Sequence, residues 1–289
     1  MKLKNDSFIG VFDSGIGGIS VLNSSIKLMP YENYIYYADT QNFPYGKKSK
    51  RVLTDIGLDI LSHFNNLNAK ETIIACNTMS TSDIGLFKKS YPKMNIVGTF
   101  PDFTNIFKNN ITISQKTLFL SKEYGIKYRN YKIKLLIIAT TATAKSEYLR
   151  NLIDEFYDII DIYVEPADFI VNAVENNKLE TFEFDNKLKD YFKEYFDVDY
   201  LLFGCTHFPH AINQIKKYVN NNAVFFSGGD IAADSSYKFL AQNDLLDNNE
   251  KPYIKIIDYN LDDNKIDLYR KLIKTRKHNI EFYKKFSEI

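Results

Sequence analysis

The sequence predicts an α/β protein of two similar lobes, each a largely parallel sheet flanked by helices, with a cleft between them. Three observations carry this. Short apolar runs alternate with longer stretches of helical spacing, the pattern of strands joined by crossover helices. The length, 289 residues, exceeds what one ordinary core needs and suits two. The chain also echoes itself: each of its two cysteines follows an apolar run, Ile73-Ile74-Ala75 before Cys76 and Leu201-Leu202-Phe203-Gly204 before Cys205. The first lobe is expected at 1–99 plus 210–289 and the second at 100–209.

The first lobe opens with the apolar strand Phe8–Phe12, broken by Asp13-Ser14-Gly15-Ile16-Gly17-Gly18. A helix with Ile19, Leu22 and Ile26 on one face follows. Strand, glycine loop and helix together present backbone N–H groups to an anion. The spacing is GxGG and not GxGxxG, and the Asp13 carboxylate at the mouth would repel a pyrophosphate, so nucleotide binding is not expected. Asp13 itself could simply cap the helix. Next come strand Tyr34–Tyr37, the turn Phe43-Pro44-Tyr45-Gly46, a helix over Val52–Phe64, the Cys76 strand, a helix over about Thr81–Ser90 and strand Ile96–Gly98. The region 103–131 reads as a helix and an irregular insertion, with a strand conceivable at Thr117–Leu120.

The second lobe repeats the outline. Strand Leu135–Ile138 leads into Thr140-Thr141-Ala142-Thr143, where the hydroxyls either cap a helix or bind a polar ligand. Helix Lys145–Phe156, strand Ile159–Val164, a helix over Ala167–Glu175 and a helix over Glu183–Phe196 precede the Cys205 strand. Beyond Pro209 a helix is expected to about Asn220, then strand Val224–Phe226 and a helix over Ile231–Ala241 back to the first lobe. Tyr253–Tyr259 alternates like an edge strand, with Pro252 at its start. Leu268–Phe286 reads as a basic, Tyr-rich amphipathic helix with a solvated face.

Composition narrows the function. Hydrophobic content of 45% and charged content of 25% fit full cores. A net charge of +1 gives no electrostatic case for nucleic acid or an anionic membrane. No apolar run approaches a membrane span, and MKLKNDSFIG lacks the apolar stretch of a signal peptide. Reduced thiols in a cytoplasm are therefore expected, not a disulfide. Four histidines and two cysteines show no CxxC or HxxxH pair, so no metal is expected.

A lone buried cysteine is more often inert packing than a reactive group. Two in matched contexts, each just past a strand's carboxyl end where α/β sheets bind ligands, suggest chemistry. If the lobes close so that Cys76 and Cys205 flank one pocket, one thiolate can remove a proton from a substrate carbon while the other thiol returns one to the opposite face. That inverts the stereocentre with no cofactor needed in principle. Asp13 is the candidate helper for Cys76 and His207 for Cys205, with Glu175 a possible second partner; carboxylates beside thiols suit proton relays better than thiolate stabilisers.

The motifs IGVFDSGIGG (Ile9–Gly18), Asp39-Thr40 with Pro44-Tyr45-Gly46, ACNT (Ala75–Thr78), Ala139-Thr140 with Thr143 and Lys145-Ser146, and GCTHFP (Gly204–Pro209) together resemble the glutamate racemase family of the aspartate/glutamate racemase superfamily. They follow the family's order and span most of residues 8–230. The resemblance implies an active site in the cleft, with Cys76 and Cys205 as the two acid/bases and Asp13, His207 and Glu175 as auxiliaries. Asp13, Ser14, Pro44, Tyr45, Gly46, Asn77, Thr78, Thr140, Thr143 and Thr206 fall on its substrate-binding positions. It further implies no cofactor, glutamate as substrate, D-glutamate supplied to peptidoglycan, and a second copy of the chain as partner in a homodimer. The departures are the insertion at 103–131, Phe226 where Asp is usual, Phe43 before Pro-Tyr-Gly, Ala167-Asp168 for Cys-Pro, and a longer C-terminal helix. Two competing readings are a related racemase, decarboxylase or isomerase for another acidic substrate, and a regulatory binding protein on the same fold. A single-base decarboxylase needs one cysteine, and the pair favours racemisation.

Overall fold

The computed structural model describes residues 7–104, 133–156, 158 and 160–289. The possible strand Thr117–Leu120, and most of the expected insertion around it, lie outside the described residues. The first strands are β1 (Ile9–Asp13), β2 (Tyr34–Ala38), β3 (Glu71–Ile74) and β4 (Asn95–Gly98). They are joined by α1 (Ile19–Leu28), α2 (Lys50–Asn66) and α3 (Asn77–Ser90). β1, β2 and β3 are buried at every position, as strands covered by helices on both faces must be, so their apolar stretches run without alternation, with polar side chains only at the ends of β1 and β3. Ser49 starts α2 by accepting a hydrogen bond from the Val52 N–H, a cap that satisfies one of the helix's free donors.

β5 (Ile133–Ala139), β6 (Ile160–Pro166), β7 (Tyr200–Gly204) and β8 (Val224–Ser227) follow, then β9 (Tyr253–Asp258) and β10 (Asn279–Tyr283). Among the described residues six strands form one sheet in the order β10-β9-β2-β1-β3-β4, and four form a second in the order β6-β5-β7-β8. Every neighbouring pair is parallel. Both sheets share one local order: β2-β1-β3-β4 in the first is β6-β5-β7-β8 in the second. The strand order reverses direction between β1 and β3, and again between β5 and β7. Such switch points open a crevice at the carboxyl ends of the strands. Asp13 and Cys76 stand at the first crevice, Thr140 and Cys205 at the second, so the echo in the sequence is an echo in topology.

Four expectations are corrected. The chain does not re-enter the first lobe at 210: β8 pairs with β7, Leu202 opposite Phe226, so the second sheet extends through Ser227 and the return is made by the helix Gly228–Gln242 packed on α1. The helix expected after Pro209 shrinks to a 3-10 turn, Phe208–Ala211, and one α-turn, Ile212–Ile215. β9 is an interior strand, because β10 covers its outer side. The single helix expected over Leu268–Phe286 is a shorter helix, Asp263–Leu272, followed by β10. Ile280 and Phe282 lie opposite Ile254 and Ile256 of β9. Their period of two belongs to a strand, although the basic residues around them blur it.

The return into the first lobe is a tight crossing. A Cβ on Gly228 would run into the Phe100 carbonyl oxygen, and backbone has little freedom to yield. Gly85, on the exposed side of α3, would meet nothing within 4 Å. We expect Gly228→Ala to destabilise the protein by roughly 1–3 kcal/mol, and Gly85→Ala to stabilise it by about 0.5–1 kcal/mol. Urea-unfolding midpoints measure both.

Candidate active site

The two crevices face each other across one pocket. Its lining takes Asp13, Ser14, Pro44, Tyr45, Gly46, Cys76, Asn77 and Thr78 from the first lobe, and Thr140, Thr143, Cys205, Thr206 and His207 from the second. Every candidate residue except Glu175 is in that lining, and Glu175 is bonded to His207 from behind. Both thiols are free and nearly buried, each 8% exposed.

Each sulfur has its own partner. Cys76 follows β3 at the start of α3 and shares a hydrogen bond with the Asp13 carboxyl at the end of β1. Asp13 Oδ1 also accepts from the Ser14 N–H at 2.7 Å, and Oδ2 from the Thr206 hydroxyl at 2.7 Å. Asp13 therefore does not cap α1; its carboxyl is tied to a residue of the other lobe. Burial pushes the Asp13 carboxyl above the usual range, against the pull of His207 and its hydrogen bonds. Burial, reinforced by the Asp13 charge, pushes the Cys76 thiol well up.

Cys205 has a different partner. His207 Nδ1 lies 3.6 Å from its sulfur, and His207 Nε2 lies 2.6 Å from Glu175 Oε1. Burial alone would strip the charge from this imidazole. Its hydrogen bonds to Cys205 and Glu175, with the charges of both, outweigh burial and hold it well above the ordinary histidine value. Burial likewise opposes the Glu175 charge, but the bond to His207 and the Ile16 N–H lower that carboxyl on balance.

The glycine loop acquires a physical reason here. The Ile16 N–H donates to Glu175 Oε1 at 2.9 Å. The loop does present an N–H to an anion, and the anion is a side chain of the second lobe. A Cβ on Gly15 would strike Glu175 Oε1 and one on Gly17 would strike His207 Nδ1. The glycines let two side chains approach backbone at a distance no other residue permits. The Ser20 hydroxyl donates to the Thr206 carbonyl at 2.7 Å, and His210 Nε2 lies 3.1 Å from the Gly17 carbonyl, so the loop is held from several sides.

The threonines do both things open to them. Thr140 caps the turn Thr141–Ala144, accepting from the Thr143 N–H, and Thr143 Oγ1 reaches across the cleft to within 3.3 Å of Thr78 Oγ1. The Tyr45 hydroxyl is committed to Asp39 at 2.8 Å, which holds the Pro44-Tyr45-Gly46 turn against the pocket. Asn77 is buried, and its Oδ1 has no hydrogen-bond partner among the described residues. The sequence reading left out three lining residues, Phe43, Val171 and Gly204. Val171 could have been found, since it lies one helical turn before Glu175 and shares its face. Phe43 had no local signal; its ring faces His207 with centroids 6.3 Å apart.

The cavity is small, about 40 Å³, roughly the room of three ordered waters. A Cβ on Gly46 would come within 3.4 Å of the Ala142 Cβ of the opposite lobe, so the two lobes run close beside the pocket.

No protein-family model matches the chain. Among curated proteins it is 30% identical over 275 residues to the glutamate racemase of Clostridium botulinum (strain Alaska E43), covering 94% of this chain and 99% of that one. It is 32% identical over 247 residues to glutamate racemase 2 of Bacillus subtilis, covering 82% and 83%. Among solved structures, glutamate racemase from Francisella tularensis in complex with D-glutamate superposes with a TM-score of 0.73 at 21% identity, covering 98% of this chain and 99% of that chain. That last likeness speaks to the two-lobe fold.

The His207–Glu175 pair makes stability depend on pH in a defined window. A histidine raised in the folded state contributes fully below its ordinary value of 6.5, and the contribution is lost as pH rises through the raised value. The lowered Glu175 contributes above its ordinary 4.5 and loses that contribution as pH falls through the lowered value. We expect Glu175→Gln to cost roughly 2 kcal/mol at neutral pH and to flatten the decline in stability on the alkaline side of 6.5. Thermal melts across that range measure both effects.

Proposed function

The chain belongs to the glutamate racemase family, whose members are amino-acid racemases of the isomerase class, and on that premise we propose that it interconverts L- and D-glutamate by a two-thiol proton exchange. The observation that supports this most directly is that Cys76 and Cys205 line one pocket from opposite sheets, each with a separate proton partner. A substrate α-carbon held between the sulfurs gives up its proton to one of them as thiolate. The other, as thiol, donates a proton to the opposite face. The electron pair passes into the α-carboxylate and back, so no electrons leave the substrate.

The residues divide the work. Cys76, buried beside Asp13, keeps its proton at neutral pH and is the resting donor, with Asp13 as its relay. His207, oriented by Glu175, takes the Cys205 proton and returns it when the reaction runs the other way. The α-carboxylate, where charge develops, lies at the start of α3, whose first N–H groups at Asn77 and Thr78 lack a side-chain cap. The unpartnered Asn77 Oδ1 suits the substrate ammonium. Ser14, Thr140, Thr143 and Thr206 supply hydroxyls to the remaining oxygens, and the Pro44-Tyr45-Gly46 turn closes over them. Lobe closure removes water from around the sulfurs, where fixed dipoles act most strongly.

The family likeness also supports a role for the D-glutamate product in peptidoglycan, and a homodimer working in the cytoplasm. No described helix is long and apolar enough to cross a membrane.

We expect Cys76→Ala and Cys205→Ala each to lower racemisation by at least about 10²–10⁴-fold, with circular dichroism unchanged. Deuterium from solvent should appear at Cα of the product. Polarimetry on L-glutamate, D-glutamate and L-aspartate reads the outcome, and parental turnover in either variant would overturn the assignment. Asp13→Asn should separate activity from stability. A carboxyl raised by burial is most favourable in its neutral form, present below its ordinary 3.8 and lost as pH rises through the raised value. A permanently neutral Asn is therefore expected to raise the melting temperature at neutral pH while slowing turnover.

A further inference from the structure

The two thiols differ in how their proton partners meet water. The Cys76 side turns inward. Asp13 is 1% exposed, and its oxygens take the Ser14 N–H and the Thr206 hydroxyl. Asp13, Ser14 and Thr206 all line the active-site pocket.

The Cys205 side passes through the wall. His207 lines the active-site pocket, whereas Glu175 lines a separate groove of about 510 Å³. That groove lies between the end of the helix Asp168–Glu175 and the helix Asp263–Leu272, with Asn176, Asn177, Asp262, Asn264 and Lys265 in its walls. Polar walls and this much room suit water. A single hydrogen bond, between His207 Nε2 and Glu175 Oε1 at 2.6 Å, therefore joins the pocket to the groove. The Glu175 side chain is 13% exposed and that of His207 4%. Glu175 Oε1 is taken by His207 and the Ile16 N–H, and Oε2 accepts no hydrogen bond among the described residues.

The charges favour passage. Lys265 stands in the same groove, its Nζ 2.9 Å from Asp258 Oδ2. Burial works against a charged Glu175, but the hydrogen bond and charge of His207, the Ile16 N–H and the Lys265 charge outweigh it. A proton handed to Glu175 is therefore passed on and not kept.

We propose that Glu175 is a proton port, through which His207 exchanges its Nε2 proton with water in the groove and not with the active-site pocket. Its role in turnover rests on the racemase reading: the port keeps the charge of the Cys205–His207 pair in step with the reaction. When the Cys205 thiolate takes the Cα proton, the imidazolium is left beside a neutral thiol. Its Nε2–H bond breaks, an O–H bond forms on Glu175, and a groove water then takes the proton as hydronium. The path runs backwards when Cys205 becomes thiolate again. Neither transfer needs the pocket to open.

Nitrogen-15 labelling of the four histidines in the full chain makes the exchange visible by NMR, with His207→Gln assigning the His207 signal. Saturation transfer from water reads the exchange rate of the Nε2 proton. Asn264→Trp, which fills the groove from the exposed start of its helix, should slow that exchange at least about tenfold, and Asn264→Ala should leave it as in the parent. Glu175→Gln, which keeps an oxygen for the Ile16 N–H and cannot carry a proton onward, should slow it as well. Parental exchange in either the Trp or the Gln variant would overturn the port. These arms do not rest on the racemase reading, whereas the next two do. In Cys76→Ala, where turnover is stopped, saturating glutamate should leave the exchange rate unchanged, and slower exchange on filling the pocket would overturn the port. Asn264→Trp should also lower kcat for both enantiomers by about tenfold. Slowed exchange with parental kcat would overturn the role in turnover.

Discussion

A carboxylate of one lobe sits in the anion-binding loop of the other, and the rest of the site depends on that contact. Glu175 takes the Ile16 N–H and His207 at once, through a gap that only Gly15 and Gly17 leave open. Its position fixes the imidazole, and the imidazole fixes what Cys205 faces. Because Glu175 ends the helix Asp168–Glu175, the same contact ties that helix of the second lobe to the glycine loop of the first. The candidate site and the contact between the lobes thus share one interaction.

The two sulfurs occupy equivalent places in two sheets of the same strand order, yet their surroundings are opposite. Cys76 faces a carboxyl that burial has made reluctant to ionise. Cys205 faces an imidazole that two partners have made eager to stay charged. A repeated topology supplied the matched positions, and the neighbours at each switch point broke the symmetry. This separation of proton affinities is what distinct donor and acceptor roles require. It also explains why Thr206 is placed to bond Asp13 across the cleft: the hydroxyl ties the two half-sites together where neither sheet alone could.

Much of this was legible in the residues because the sequence punctuates it. Apolar runs ending in Asp13, Cys76 and Cys205 marked three strand ends. The glycines announced a close approach, though the approaching groups, Glu175 and His207, lie far along the chain. What stayed hidden was non-local. Val224–Ser227 looks the same whether it closes the second sheet or opens the return, and only its pairing with Tyr200–Phe203 decides. The basic stretch from Lys271 onward masked the change from a period near four to a period of two, so Ile280 and Phe282 fell inside the single helix expected over Leu268–Phe286. Phe43 carried no local cue at all, since its role follows from where His207 lies in space.

The placement of β9 and β10 bears on how the molecule is made. Among the described residues the second sheet draws its strands from one continuous stretch, 133–227, and all four are available once that stretch has left the ribosome. The first sheet begins earlier and finishes last, because the open flank of β2 is covered only by β9 at Tyr253–Asp258, and β9 in turn by β10 at Asn279–Tyr283. Until then β2 presents unpaired backbone, a template for unwanted strand association. The N-terminal lobe is thus the later one to mature, and a nascent chain cut short before Asn279 leaves β9 bare.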